Sequence, residues 1–278
     1  MVRFPNSKIN LGLRIIAKRN DGFHDIESLF YPLPLADAAE IIIPTDPPAG
    51  ESTLFECIQS GLPIPGDPQD NLCIRAWQRL FIDYPRMPPM KMYLVKAIPV
   101  GAGLGGGSSD AIATLQLLND LLRLNIDDKQ MAAYALELGS DCPFFLNNQP
   151  ALASGRGEIL EPFRPVLAGI YLVLVNPDIH ISTSWAFSKI QPSVPSVQLR
   201  DIVNAPLDQW KDQLINDFEA PVFEKFPLLK EIKEQFYESG AVYAAMSGTG
   251  SAIYGIYPDG TTPDSGQFGL PHQVFLLK

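Results

Sequence analysis

The chain has 278 residues, of which 46% are hydrophobic and 19% are charged, and its formal net charge is −10. This composition is that of a globular protein with one large or two medium domains, and it excludes an intrinsically disordered chain. The negative balance argues against a general nucleic-acid or anionic-membrane binder, whose surface would be basic, so an anionic ligand must be bound in a local pocket.

The cysteine pattern and the apolar runs indicate the compartment. Cys57, Cys73 and Cys142 are odd in number and share no C-x-x-C spacing, which favours neither a disulfide framework nor a zinc site. The N-terminal residues lack an apolar signal core, and the apolar run near 168–175 is far shorter than the ~20 residues that span a bilayer. We expect a cytoplasmic protein, a monomer or weak homodimer, with no membrane anchor.

Hydrophobic periodicity and the glycine and proline breaks predict the elements. In the first half they are, in chain order, strands at 9–16 and 39–43, a helix at 71–84, a strand near 92–98, and helices at 111–124 and 128–138. In the second half they are a strand at 170–175, helices at 182–189, around 203–213 and at 221–238, and strands from 243 and at 252–257. The tail 260–278 has no assigned role, although 273–277 resembles a strand. The mixture indicates an α+β fold, and breaks after residue 154 predict two domains, 1–154 and 155–278.

A glycine-rich segment joins the strand near 92–98 to the helix that follows it. Residues 99–110 read P-V-G-A-G-L-G-G-G-S-S-D. Glycines allow positive φ and expose bare N–H groups, and Ser108, Ser109 and Asp110 can cap a helix whose N-terminus is partly positive. Such a place binds phosphate. The candidate phosphate-binding residues are Pro99, Gly101, Gly103, Leu104, Gly105, Gly106, Gly107, Ser108 and Ser109.

Other interpretations of this segment fit less well. Gly101, Gly103 and Gly106 satisfy G-x-G-x-x-G, but a dinucleotide fingerprint also needs a second strand and an acidic residue about 20 positions on. A Walker loop needs Gly-Lys-Ser/Thr, whereas Gly106 is followed by Gly107. A merely flexible loop has no need of three consecutive glycines, whose ordering costs folding entropy.

Two polar groups elsewhere in the chain are candidate site residues. Lys8 and Asn10 are two apart on a predicted strand and therefore share a face, which fits either a functional pair or a solvent-exposed edge strand. Asp141 lies between Gly139, which ends a helix, and Pro143, which prevents a new helix from running through. It is either a loop or N-cap aspartate or a functional carboxylate.

Two turns complete the set of candidates. Phe23 and His24 follow an Asp-Gly turn signal that directs both rings outward, where they either pack on a neighbouring loop or belong to a site. Residues 247–251 read Ser-Gly-Thr-Gly-Ser and precede an apolar strand. They are either a glycine-rich hairpin turn or a support for the glycine-rich segment.

Three segments resemble, in order and spacing, the GHMP kinases, the superfamily of galactokinase, homoserine kinase and mevalonate kinase. They are SKINLGLRIIAKRNDGFHDIESLF at 7–30, PVGAGLGGGSSDAIATLQLLN at 99–119 and MSGTGSAIYGIY at 246–257. The first segment is most similar to the branch that acts on 4-diphosphocytidyl-2-C-methyl-D-erythritol. The resemblance implies ATP-dependent phosphorylation of the 2-hydroxyl of that substrate, a step of the non-mevalonate isoprenoid route. It also implies Mg²⁺ with ATP, although no acidic cluster in the sequence marks a metal ligand.

The resemblance further implies a fold and a role for each candidate residue. The fold would be two-lobed, with a left-handed β-α-β unit in the N-terminal lobe, a ferredoxin-like C-terminal lobe, and the active site between them. Lys8 would lie by the transferring phosphate, and Asp141 would orient or deprotonate the acceptor hydroxyl. The implied substrate-binding residues are Asn10, Phe23, His24, Thr183 and Phe187. Phe23 stands where the branch commonly has tyrosine, so it keeps the stacking face and loses a hydroxyl.

Two alternatives to this function stay open. Another GHMP small-molecule kinase, of the homoserine or mevalonate type, would share the glycine-rich segment but would have no use for a cytosine pocket. A non-catalytic nucleotide-binding protein would keep that segment without needing Lys8 and Asp141 together. In each case the expected partner is a small molecule and not a nucleic acid.

Overall fold

The computed structural model describes residues 1–45, 54–165, 167–258, 261 and 268–277, so most of the tail between 259 and 267 lies outside the described residues. The strands are β1 (Val2–Arg3), β2 (Asn6–Lys18), β3 (His24–Ala36), β4 (Ala38–Ile42), β5 (Phe55–Gly61), β6 (Met90–Lys96), β7 (Ala151–Ser154), β8 (Ile159–Pro162), β9 (Tyr171–Val175), β10 (Tyr243–Met246), β11 (Ile253–Tyr257) and β12 (His272–Leu276). The α-helices are α1 (Leu72–Asp83), α2 (Gly106–Leu122), α3 (Asp128–Leu138), α4 (Phe144–Asn147), α5 (Thr183–Ser188), α6 (Leu199–Asn204), α7 (Trp210–Gln213), α8 (Glu219–Lys225) and α9 (Pro227–Glu238).

The chain divides into two compact units built from interleaved segments. The first unit comprises residues 1–7, 34–100 and 105–148, and the second comprises 8–33, 101–104 and 149–278. The prediction of domains 1–154 and 155–278 stays a prediction.

The first unit is a four-stranded sheet with helices packed on it. The strand order is β1-β4-β6-β5, in which β5 and β6 pair in parallel and the other pairs are antiparallel. Parallel neighbours need a crossover, and α1 supplies it, so β5, α1 and β6 form the expected β-α-β unit. Helix α2 packs against α1, α3 and β4. The alternate residues Met90, Met92 and Leu94 of β6 are buried in this core.

The second unit contains two four-stranded sheets. One has the order β2-β3-β7-β8 and the other has the order β10-β11-β9-β12, with antiparallel pairs throughout the latter. Helix α9 packs on β10 and β11, whose residues are all buried. This second sheet and its helices correspond to the ferredoxin-like lobe that the resemblance implies. The tail adds β12, which pairs with β9 as an edge strand.

The structure corrects several predicted elements. Helix α2 begins at Gly106 and not at 111, because left-handed Gly105 (φ 71°) forms its N-cap. Ser108, Ser109 and Asp110 therefore lie inside the helix and do not cap it. The region predicted as helix around 203–213 is divided into α6 and α7, with Pro206 between them, because proline cannot continue the hydrogen-bond ladder. The sequence also missed β3, β5, β7 and β8.

Candidate active site

The glycine loop, residues 99–105, is shaped by left-handed glycines. Gly101, Gly103 and Gly105 have φ values of 72°, 78° and 71°, which side chains with a Cβ rarely adopt. At Gly103 a Cβ would overlap the carbonyl group of Ser247, so the backbones approach closely there. The prediction that these glycines serve backbone geometry is confirmed at these positions.

The start of α2 follows directly after the glycine loop and has no side-chain cap. Its N-cap residue makes no side-chain hydrogen bond to the first N–H groups of this 17-residue helix. Gly107 is exposed, and Ser108 is half-buried. Unpaired N–H groups and the helix dipole both attract an anion. The geometry therefore fits a phosphate at 106–108.

Lys8 and Asn10 form a buried hydrogen-bonded pair. Both are 3% exposed, and the Lys8 ammonium donates to Asn10 Oδ1 at 2.6 Å. Asn10 Nδ2 donates in turn to Ser28 Oγ at 2.9 Å, and the Lys8 Nζ lies 4.5 Å from the centre of the Phe30 ring. The prediction that Lys8 and Asn10 share a face is confirmed, and the interpretation as a solvent-exposed edge is wrong.

Ser247 connects this pair to the glycine loop. The Asn10 backbone N–H donates to Ser247 Oγ at 3.2 Å, and that hydroxyl donates to the Gly103 carbonyl at 2.7 Å. The Lys8 backbone N–H donates to the Leu104 carbonyl at 2.9 Å. Ser247 therefore connects the glycine loop to β2, which agrees with a supporting role for this residue. Asn216, which the sequence did not single out, donates to the carbonyls of Met246 and Gly248, each at 2.8 Å.

Asp141 lies in the turn between α3 and α4. Gly139 is the C-cap of α3, as predicted, and the Phe144 backbone N–H donates to the Asp141 carbonyl at 3.3 Å. The N-cap of α4 is Pro143, so Asp141 does not cap that helix. Beside it, burial raises the pKa of the Cys142 thiol to about 11, and the Asp141 charge adds to that rise. Asp141 is in the first unit and Lys8 in the second.

The aromatic candidates come together in the second unit. The His24 ring stacks on the Phe187 ring with centroids 4.8 Å apart, and Phe187 meets Phe218 edge-on at 4.8 Å. Phe23 is 48% exposed, and the Arg156 guanidinium lies 4.5 Å from its ring centre. Burial lowers the pKa of His24, and the charge of Lys18 lowers it further, so the imidazole is neutral at pH 7.

Thr183 belongs to the same helix face as Phe187. The two are four residues apart on α5 and are therefore neighbours on its surface. Thr183 Oγ1 is 3.5 Å from Thr249 Oγ1. The structure thus joins His24, at the start of β3, to Phe187 on α5, with Thr183 on the same helix. Phe23 precedes His24 in the chain and contacts Arg156, a residue between β7 and β8 that the sequence analysis missed. The sequence pattern that could have indicated Arg156 is the Gly155-Arg156-Gly157 turn.

Comparison with known proteins identifies the family. Residues 71–149 match the family GHMP kinases N terminal domain, and residues 201–272 match GHMP kinases C terminal. A protein of Bacteroides fragilis (strain YCH46) named 4-diphosphocytidyl-2-C-methyl-D-erythritol kinase is 48% identical over 257 residues, which cover 92% of each chain. The chain belongs to the GHMP kinase family. It is a small-molecule kinase, as the sequence predicted.

Solved structures agree with this assignment. This GHMP kinase resembles a crystal structure of 4-(cytidine 5'-diphospho)-2C-methyl-D-erythritol kinase with a TM-score of 0.80 and 30% identity, over 99% of this chain and 98% of that one. A mevalonate kinase structure gives a TM-score of 0.64 at 12% identity over 99% and 98% of the chains, and so shares the fold alone. The expected GHMP kinase fold is confirmed.

The GHMP kinase also has a buried ionic cluster that the sequence analysis missed. The Lys96 ammonium donates to the carboxylates of both Asp37 and Asp110, and the Asp110 bond is 2.7 Å long. We call these three residues the Lys96 cluster. Each is at most 3% exposed. The signal was the strand alternation, which places Lys96 on the same inward face as Met90, Met92 and Leu94.

The donors available for a divalent cation are few. Among the described residues, no group of three or more histidine, cysteine or acidic side chains is placed to hold a metal ion. Mg²⁺ usually keeps several waters and takes one or two carboxylates plus substrate phosphates. A cation bound in this way would need no group of three side-chain ligands. Across the described ranges, no helix is both long and apolar enough to cross a bilayer.

Proposed function

We propose that this GHMP kinase transfers the γ-phosphoryl group of ATP to the 2-hydroxyl of 4-diphosphocytidyl-2-C-methyl-D-erythritol. The observation that carries the proposal is the aromatic group Phe23, His24 and Phe187, which offers a flat surface for a nucleobase. The 48% identical relative that bears the name of this kinase supports it. The aromatic group and the pair Lys8 and Asn10 belong to the same compact unit.

The glycine loop and the start of α2 suit the phosphates of ATP. Left-handed glycines keep side chains away from the ligand, and the N-terminal N–H groups of α2 lie unblocked by any cap side chain. Pro99 to Ser109 would bind the nucleotide through these backbone groups. Mg²⁺ would enter with ATP, coordinated mainly by phosphate oxygens and water, and would neutralise phosphate charge.

Lys8, Asn10 and Asp141 would serve the acceptor hydroxyl and the transferring group. Phosphoryl transfer needs positioning and charge stabilisation more than covalent chemistry. The Lys8 ammonium is buried, so it interacts strongly with charge that develops on phosphoryl oxygens. Asn10 fixes the direction of that ammonium through their 2.6 Å hydrogen bond. Asp141 would orient the acceptor hydroxyl and accept its proton.

The aromatic group would recognise the cytosine ring. Phe23 is exposed on one side and has Arg156 near its ring, so a base can stack on the free face. Neutral His24 presents one N–H donor and one nitrogen acceptor, the combination that a base edge requires. Thr183 and Phe187 would bound the same pocket from α5.

We extend the proposal to the setting of the enzyme. It would work in the cytoplasm, as a monomer or weak homodimer, on a small-molecule substrate and without nucleic acid. The free thiols of Cys57, Cys73 and Cys142 are compatible with a reducing compartment. The net charge of −10 is compatible with a protein that does not bind nucleic acid generally.

The test is a substrate panel with Mg-ATP and a coupled ADP assay. The panel contains the cytidine-bearing substrate, the free methylerythritol phosphate without cytidine, homoserine and mevalonate. We expect ADP to form efficiently with the cytidine-bearing substrate and with no other alcohol of the panel. Efficient turnover of homoserine or mevalonate would favour another GHMP kinase activity. ATP binding without ADP formation on any alcohol would favour a nucleotide-binding protein.

A further inference from the structure

The Lys96 cluster holds both chain ends of the glycine loop. Asp37 Oδ1 accepts hydrogen bonds from the backbone N–H groups of Ala97 at 2.6 Å and Ile98 at 2.8 Å, the two residues before the loop. Asp110, bound to the same ammonium, lies in α2, four residues after that helix begins. One ionic cluster therefore anchors the chain where it enters the loop and where it leaves.

Lys96 also lies directly beneath the first residue of α2. A Cβ added to Gly106 would be 3.4 Å from Lys96 Nζ and 2.8 Å from Ile98 Cγ2. Glycine at 106 thus lets α2 begin in contact with the cluster. A change in the position or charge of the cluster acts on the helix end where the candidate phosphate site lies.

The cluster has one positive and two negative groups, and its two carboxylates accept different numbers of hydrogen bonds. Asp37 accepts from Lys96 and from two backbone N–H groups. Asp110 accepts from Lys96 through Oδ2, and its buried Oδ1 has no hydrogen-bond partner. Two carboxylates that share one buried ammonium cannot both ionise easily, so the less satisfied one takes the proton.

Asp110 is the group that can change charge near neutral pH. Burial raises its pKa to about 7, with Lys96 opposing this rise and the negative charge of Asp37 adding to it. The other titratable groups that face it are the thiols of Cys73 on α1 and Cys57 on β5. Burial raises the pKa of both thiols, so they stay neutral between pH 6 and pH 8.

We propose that the Lys96 cluster positions the glycine loop and the start of α2 for nucleotide binding, and that nucleotide binding shifts Asp110 towards its protonated form. The inference rests on the proposed function, because it needs ATP phosphates at the N-terminus of α2. An anion there is repelled by a carboxylate beneath the same helix end, so loss of that charge favours binding. By linkage, nucleotide binding favours protonation to the same extent. Lys96 and Asp110 are positioning residues, since they act through the backbone.

The experiment measures Mg-ATP binding directly by calorimetry between pH 6 and pH 8.5, in two buffers with different ionisation enthalpies. For the wild-type protein we expect the Kd to rise about fivefold or more with pH, the scale of a typical coupling. The number of protons taken up on binding near pH 7 should exceed the number that titration of the nucleotide itself accounts for. Asp110→Asn keeps the shape of the side chain and cannot titrate, so its Kd should vary with pH only as the nucleotide itself does.

The matched control is Asp120→Asn, an exposed acid on the same helix that pairs with Arg3. It should behave as the wild type does in both measurements. In steady-state assays, Asp110→Asn should change the pH profile of KM for ATP while kcat and KM for the acceptor keep their wild-type profiles. A wild-type pH dependence in Asp110→Asn, or the same change in Asp120→Asn, would overturn the proposal.

Two further outcomes keep the inference separate from the proposed function. If Asp110→Asn fails to fold, wild-type proton uptake decides, and an uptake equal to that of the nucleotide alone overturns the inference. If the wild-type protein phosphorylates the cytidine-bearing substrate but its ATP affinity is independent of cluster protonation, the inference fails and the proposed function stands. If ATP binds with the predicted dependence on pH and no alcohol is phosphorylated, the inference stands and the proposed function fails.

Discussion

Replacing Asp110 by asparagine is expected to change how the stability of the protein depends on pH. Asp110 is 2% exposed, and burial raises its pKa from the usual 3.8 to about 7. Between these two values the folded protein holds a proton that the unfolded chain has released. The contribution of Asp110 to the free energy of unfolding is therefore fully present below about pH 4 and is lost as the pH rises to about 7.

The size of the effect follows from one proton. Each pH unit in this interval lowers the free energy of unfolding by about 1.4 kcal/mol, so the full interval corresponds to about 4 kcal/mol. Asparagine has no such proton to lose. The stability of Asp110→Asn relative to the wild type should thus rise by about 3 kcal/mol between pH 5 and pH 8.

Urea unfolding followed by circular dichroism at pH 5, 6, 7 and 8 measures this difference. The comparison between variants removes the contributions of the carboxylates outside the Lys96 cluster, which both proteins share. Asp120→Asn, whose side chain is 40% exposed, should parallel the wild type at every pH. A difference between Asp110→Asn and the wild type that stays constant within about 0.5 kcal/mol would show that Asp110 is ionised in the folded protein throughout this range, and the reasoning would fail.

Three other substitutions test the proposed function. Asp141→Asn should lower kcat by about 10²-fold or more, the scale of lost acid–base assistance, while the affinities for ATP and the acceptor stay within about tenfold. Rapid-quench and binding assays measure these quantities. A wild-type kcat would show that Asp141 is a turn residue with no role in the reaction. Gly105→Val places a β-branched residue at φ 71° and should weaken ATP binding about tenfold, as measured by titration. The control Gly66→Val places the same residue at φ 102° with no neighbour within 4 Å, and should leave ATP binding unchanged. Phe23→Ala should raise KM for the cytidine-bearing substrate by roughly 5- to 150-fold, from a stacking energy of about 1–3 kcal/mol, and leave KM for ATP unchanged. The control Phe4→Ala removes a more exposed ring, 71% against 48% for Phe23, in the other unit and should change neither KM. A rise in KM for ATP alone in Phe23→Ala would contradict the assignment of the base pocket.

The parts of the site that follow from local chain geometry could be predicted from sequence. Lys8 and Asn10 share a face because alternate residues of a strand do, and the structure joins them by a hydrogen bond. Helix α3 has the predicted bounds because Asp127 caps its start and Gly139 caps its end. These signals act within a few residues and need no knowledge of the fold.

The parts that depend on tertiary context were missed or misplaced. The long strand β3 contains Pro32 and Pro34, which argue against a strand. In the structure its pairing with β7 covers Ser28 to Phe30, so both prolines lie beyond that stretch and remove no hydrogen bond from it. The start of α2 was placed too late because the sequence rules expect a polar cap, whereas a left-handed glycine performs this function. Arg156 reaches Phe23 from a turn more than 130 positions away, which no local pattern records.

The Lys96 cluster lies between these two cases. Strand β6 alternates, with Met90, Met92, Leu94 and Lys96 buried and the positions between them half-buried or exposed, so its register alone places an ammonium group in the core. A buried ammonium is stable only when it is paired, and the register therefore predicts at least one buried carboxylate without identifying it. The fold supplies two, Asp37 and Asp110. The second exceeds what charge balance requires, and that excess is why the cluster can exchange a proton beneath the helix end proposed to bind ATP.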